Sequence, residues 1–215
     1  MKLNIKTILF ILILLSSNIF AQETAASSAS YAPIPEYKKM YAGFLVGGGL
    51  SVSSKSLFIS GKKVIQPSFG VSGVFQYYFL KNIGFAVDLG YNYFSVKEDD
   101  NAGNISSFNM HTIIISIMPV FTFKGIYFGV GMFFDFPVSG KYKGVYNLSS
   151  GLSNFTTPNV GLHFRMGYTF KVSGDKLVFA GVDVKSQTGD FYKDNKRSGR
   201  VFAVHIVSGL LFGIK

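Results

Sequence analysis

The side chains of this chain that could do chemistry are few, and most sit where charge is unexpected. Asp88, Asp135, Arg165 and Asp183, with Lys185 as a further candidate, interrupt long apolar stretches on the face opposite the bulkiest residues. Charges removed from water are costly unless paired, so the set predicts a structural layer of salt bridges. Its functional alternative is a gated ion path. Of the three histidines, His163 and His205 have the same parity as these charges and His111 has the opposite one. Nucleophilic catalysis needs a nucleophile, a base and an orienting acid in mutual reach. Ser116 with His111 is the nearest such pair along the chain, and it lacks a carboxylate, so no catalytic residue is expected. The glycine run at Val46 to Leu50 has no following Lys-Ser/Thr and is not a phosphate loop. Neither a metal nor a cofactor is expected.

A second group of charges lies between the apolar stretches. Lys55, Lys62, Lys63, Lys141, Lys143, Lys193, Lys196, Arg197 and Arg200 stand against the acidic run Glu98, Asp99 and Asp100, within a formal net charge of +10. Lys62, Lys63, Lys141, Lys143, Lys196 and Arg197 are the candidate contacts for an anionic ligand in outer loops. They would attract the phosphates of lipopolysaccharide, or an anionic host or surface polymer. Nucleic acid is disfavoured, because no basic helix or aromatic-basic recognition module is present.

These residues are positioned by an alternation that repeats eight times. Tyr127 to Asp135 shows it: Phe128, Val130, Met132 and Phe134 share one face, and Tyr127, Gly129, Gly131, Phe133 and Asp135 the other. Apolar alternation and turn residues give strands over Tyr41 to Ser53, Pro67 to Phe79, Ile83 to Val96, Phe108 to Phe123, Ile126 to Phe136, Pro158 to Phe170, Lys176 to Val184 and Arg200 to Phe212. Each can cross a bilayer, for which a tilted strand needs ~9–11 residues. Connections after Phe79, Phe123 and Phe170 are short, and those after Ser53, Val96, Phe136 and Val184 are long and polar. That rhythm fits tight periplasmic turns and longer outside loops, with both termini in the periplasm.

The faces identify the solvent on each side. One carries Phe44, Phe69, Phe85, Ile113 and Leu162, and the other Gly47, Ser72, Asp88, His163 and Arg165. A soluble barrel needs an apolar interior, and the second set is too small and polar for that, so the greasy face is expected to meet lipid. Tyr77, Phe79, Tyr91, Tyr93, Phe123, Tyr168 and Phe170 would form aromatic girdles. The inward glycines make room for larger neighbours, and Pro119 implies a local bulge or break in its strand.

The fold class expected is therefore all-β, an eight-stranded antiparallel transmembrane up-and-down barrel over residues 41–215. Before it, Lys2 and Lys6, the apolar run Ile8 to Leu15 and the small residues up to Ala21 read as a signal peptide, 1–21, removed on export. Residues 22–40, rich in Ala, Ser and Pro, read as a disordered periplasmic lead-in.

The run from His111 to Phe136, with a Pro in an apolar strand, a tight basic turn and an aromatic-Gly-x-Gly strand after it, resembles small outer-membrane barrels of the OmpA-transmembrane-domain, OmpX and PorT-like type. Gln76 to Phe94 is similar to their second hairpin. The resemblance implies an eight-stranded barrel in the outer membrane, in contact with its lipid, and handled by periplasmic chaperones and the barrel assembly machinery during biogenesis. Many such barrels end on an aromatic residue used in assembly, whereas here Phe212 is followed by Gly213, Ile214 and Lys215. Functions in this group are diverse. The leading expectation is a structural, adhesion or surface-interaction role through four long loops, with a narrow channel or a lipid A-modifying enzyme as the alternative.

Overall fold

The structure, a computed structural model, describes residues 40–55, 62–99, 105–144, 158–190 and 200–214. The expected signal peptide and all of the lead-in but Met40 lie outside them. Among the described residues there are nine strands: β1 (Met40–Lys55), β2 (Lys62–Val64), β3 (Gln66–Tyr78), β4 (Ile83–Asp99), β5 (Ile105–Phe123), β6 (Ile126–Lys143), β7 (Asn159–Ser173), β8 (Lys176–Gln187) and β9 (Arg200–Ile214). Eight of them pair antiparallel in a ring, in the order β1, β3, β4, β5, β6, β7, β8, β9 and back to β1. Closure leaves no free edge, the condition for a sheet to stand in lipid.

The size of the barrel follows from its stagger. Stepping between partners from Ala42 through Phe75, Val87, Ile117, Met132, Leu162, Ser186 and Phe202 returns to β1 at Val52. The displacement is about ten residues, which for eight strands at ordinary strand spacing gives a tilt of roughly 40° and a backbone radius of roughly 8 Å. A lumen that narrow has room for little beyond side chains.

One end is closed by tight turns. Lys124 and Gly125 both have positive φ, 48° and 86°, the type I′ geometry that matches strand twist. A Cβ on Gly125 would lie 2.5 Å from the Tyr168 ring. Gly125→Ala should therefore cost about 1–2 kcal/mol. The readout is the temperature at which the protein loses its folded gel mobility, and an unchanged midpoint would count against this account of the turn.

The other end departs from a regular cylinder. β4 and β5 pair without interruption from Ile83 opposite Phe121 to Asp99 opposite Ile105. β2 and the last part of β6 flank this long hairpin, each after an extra residue: Ile65 separates β2 from β3, and Val138 has no partner between Pro137, opposite Thr112, and Ser139, opposite His111. An extra residue reverses which side chains face inward. Beyond Val138 the inward positions are Gly140 and Tyr142, and Ser139, Lys141 and Lys143 face outward. At Pro119 there is a break and no bulge: the β5–β6 pairing omits Met118 and Pro119 and resumes at Val120 in unchanged register.

Candidate functional site

The lumen holds the first candidate site. Arg165 on β7 reaches Asp183 on the neighbouring β8 through Nε and Oδ1 at 2.6 Å and through Nη2 and Oδ2 at 2.8 Å. Its Nη2 also meets Oδ2 of Asp88, on β4 across the barrel, at 2.7 Å. All three side chains are buried. Lys185 Nζ stands 3.9 Å from Asp183 Oδ2. Asp135 is separate from this layer; its Oδ2 accepts from Gln187 Nε2 at 3.1 Å, and Gln187 Oε1 accepts from the Val201 amide at 2.9 Å. Of the four residues expected in one salt-bridge layer, the ion cluster contains three.

The histidines are arranged in a way that reading along the chain did not find. Ser116 lies 3.0 Å from Nδ1 of His163, and Asp183 Oδ2 lies 3.1 Å from its Nε2. Ser116 thus has a base and a carboxylate in line, supplied by His163 and Asp183 and not by His111. The three stand on β5, β7 and β8, at separations that sequence distance does not reveal. His205 Nε2 is 2.7 Å from the Ser68 hydroxyl. His111, on the outer surface, bonds through Nδ1 to the Tyr91 hydroxyl. Two cavities of ≈ 20 Å³ each adjoin the cluster, both touched by Asn92, Lys185 and His205. The first, lined in part by Asp88, Asp183 and Lys185, is polar enough to hold about one water, whereas the second is lined mainly by apolar groups.

The outside of the cylinder is the converse. Phe44, Phe69, Leu89, Ile117, Met132, Leu162 and Ile206 are exposed around the ring, Ile206 to 68%. So continuous a belt of exposed large apolar side chains is the surface of a transmembrane barrel. Aromatic contacts lie near both ends: Tyr168 and Phe170 at a centroid distance of 4.7 Å near the tight turns, and Phe69, Tyr93 and His111 in successive contacts of 5.1 Å near the other end.

Beyond that second row the polarity of the sheet inverts. Phe94, Val96, Phe108, Met110 and Val201 are buried together on the inner face, with Tyr142 packed against them. The outer face carries Lys97, Ser107, Asn109, Ser139, Lys141 and Lys143, and Ser95 donates to Asn109 Oδ1 at 2.7 Å. Apolar-in and polar-out is the pattern of a sheet in water, so the hydrocarbon ends near Tyr93 and His111. The basic residues expected in loops are relocated accordingly. Lys62 and Lys63 lie on β2 and Lys141 and Lys143 on the end of β6, because antiparallel pairing continues past the belt. Lys63 is opposite the inward Glu98, and Lys62 is opposite Asp99. Lys196 and Arg197 lie outside the described residues.

No protein-family model matches the chain, and no curated protein matches it. Several solved structures do. Ail, the attachment invasion locus protein of Yersinia pestis, in complex with the heparin analogue sucrose octasulfate, is 13% identical over 81% of this chain and 99% of its own, with a TM-score of 0.44. Neisserial surface protein A is 16% identical over 82% of this chain and 97% of its own, with a TM-score of 0.46. The outer membrane protein OprG from Pseudomonas aeruginosa is 12% identical over 83% of this chain and 98% of its own, with a TM-score of 0.42. In architecture, what this chain is similar to is the small outer-membrane β-barrel.

Proposed function

We propose that the chain is an outer-membrane barrel with a structural, adhesion or surface-interaction role, exercised beyond the apolar belt and not through the lumen. The observation that carries this reading is a lumen occupied by buried Arg165, Asp88, Asp183 and His163 and by an apolar cluster that includes Met118, Tyr127, Phe179 and Leu211, inside a continuous greasy exterior. An eight-stranded lumen is just wide enough for the side chains that fill it, which argues against a passage for a solute. In planar bilayers the purified protein should give no regular conductance steps, and reproducible steps of constant size would make it a channel. Cell-surface or anionic-polymer binding should be lost when the four long connections are replaced by short Gly-Ser turns. Binding that survives that replacement removes the loops from the role.

The hydrogen-bonded chain Ser116, His163 and Asp183 favours a second reading, lipid A modification. Two features argue for a structural part instead. The serine hydroxyl is buried in the lumen away from the lipid face, and both Asp183 oxygens are engaged by Arg165. Incubation of the protein with lipid A should leave its mass spectrum unchanged, whereas loss of an acyl chain that disappears in Ser116→Ala would establish the enzyme.

A further inference from the structure

We infer that the outward face of the four-stranded extension, formed by Lys97, Lys141 and Lys143 with His111 below them, is a binding site for the phosphorylated headgroup of a bilayer lipid. The inference rests on the membrane placement proposed above and names a site within it.

Register places the residues. Val64, Lys97, Ser107 and Lys143 form one row across β2, β4, β5 and β6. Ser95, Asn109 and Lys141 form the next row toward the membrane, and Tyr93, His111 and Ser139 the row after that. Adjacent strands lie ~4.8 Å apart and alternate residues ~6.6 Å apart, so the three lysine Cα atoms fall within roughly 12 Å of one another. Hydroxyl and amide groups of Ser107 and Asn109 fill the space between. Among the described residues of this face the one carboxylate is Asp99, which is directly opposite Lys62, while Glu98 faces inward. The face is therefore basic at short range, with hydrogen-bonding groups suited to phosphate oxygens.

Two features select a lipid over a soluble anion. The basic rows stand directly on the Phe69, Tyr93 and His111 row, at the depth where headgroups begin. Below them Leu89, Ile113 and Ile117 offer an apolar track for acyl chains. Lysine stems can lie along the sheet and place their ammonium groups at headgroup height. The extra residue at Val138 is what makes the site: without it Lys141 and Lys143 would face inward.

The test uses the full chain in a neutral detergent, titrated with diphosphorylated lipid A and read by native mass spectrometry. Lys97→Gln/Lys141→Gln/Lys143→Gln is compared with Lys81→Gln/Lys124→Gln/Lys171→Gln, which removes equal charge at the tight-turn end. The first variant should bind on the order of tenfold more weakly or worse, and the second like the unaltered protein. A dephosphorylated lipid should bind the unaltered protein and the first variant alike. Equal retention by the first variant, or equal loss in both, overturns the site. Displacement of the lipid by inorganic phosphate at matched concentration overturns the assignment to a lipid. Failure of the unaltered protein to insert into vesicles would instead remove the membrane placement, so the two failures are distinguishable.

Discussion

Arg165→Ala will destabilise the barrel by about 3–5 kcal/mol, the cost of removing one partner from a buried ion cluster. The size follows from what remains. Asp88 and Asp183 would keep their places in the lumen, within reach of one another and without the guanidinium that holds them at 2.6 to 2.8 Å. Lys185 offers partial relief, 3.9 Å from Asp183 and within electrostatic reach of Asp88. Replacing the cluster as a whole, with Arg165→Met, Lys185→Met, Asp88→Asn and Asp183→Asn together, should recover most of the loss, because no uncompensated charge of the cluster is left. The chain has no Trp, so urea unfolding in lipid vesicles is best followed by circular dichroism and gel mobility. Equal stability of Arg165→Ala and the parent would mean that the cluster is dispensable.

Ile206→Arg will cost about 2–4 kcal/mol in a bilayer, the penalty for arginine on the lipid face near the midplane. Ile206 lies midway along β9 and is 68% exposed, opposite Gly48 on β1 and Val182 on β8. The same exposure on a soluble protein would make the change nearly neutral or favourable, so its sign tests the solvent. As a reference, Lys97→Arg, above the belt, should leave stability within a few tenths of a kcal/mol. A barrel that tolerates Ile206→Arg in lipid vesicles is not one whose apolar belt faces hydrocarbon.

The strands were legible because period-2 alternation states both where a strand runs and which side of it is greasy. It also limited the reading, since segments ended at Val96, began at Phe108 and ended at Phe136, near where the polarity of the faces inverts. In the structure β4, β5 and β6 continue to Asp99, Ile105 and Lys143. An alternation sought with one polarity is lost once the apolar residues move to the inner face. The extra residues Ile65 and Val138 left no signal, because a bulged valine or isoleucine is the same residue as a paired one. Inward parity was readable for Asp88, Arg165, Asp183, His163 and His205. Their partners were not, because contacts across a lumen depend on the stagger of the whole ring. That is why Ser116 was set beside His111, five residues away in sequence, and not beside His163.

The bond between Arg165 and Asp88 joins β7 to β4, which share no ladder; so do Ser116 with His163 and Ser68 with His205, each linking strands that are not neighbours. Hairpins can zip independently, but these three links need a sheet already curled into a ring. They are contacts that an isolated hairpin cannot make, and the Ser68–His205 link also spans the closing β1–β9 seam. Interactions formed after the rate-limiting step slow unfolding and leave the folding rate almost untouched. The polar centre of this barrel is in that sense a latch, set by closure and resisting reopening.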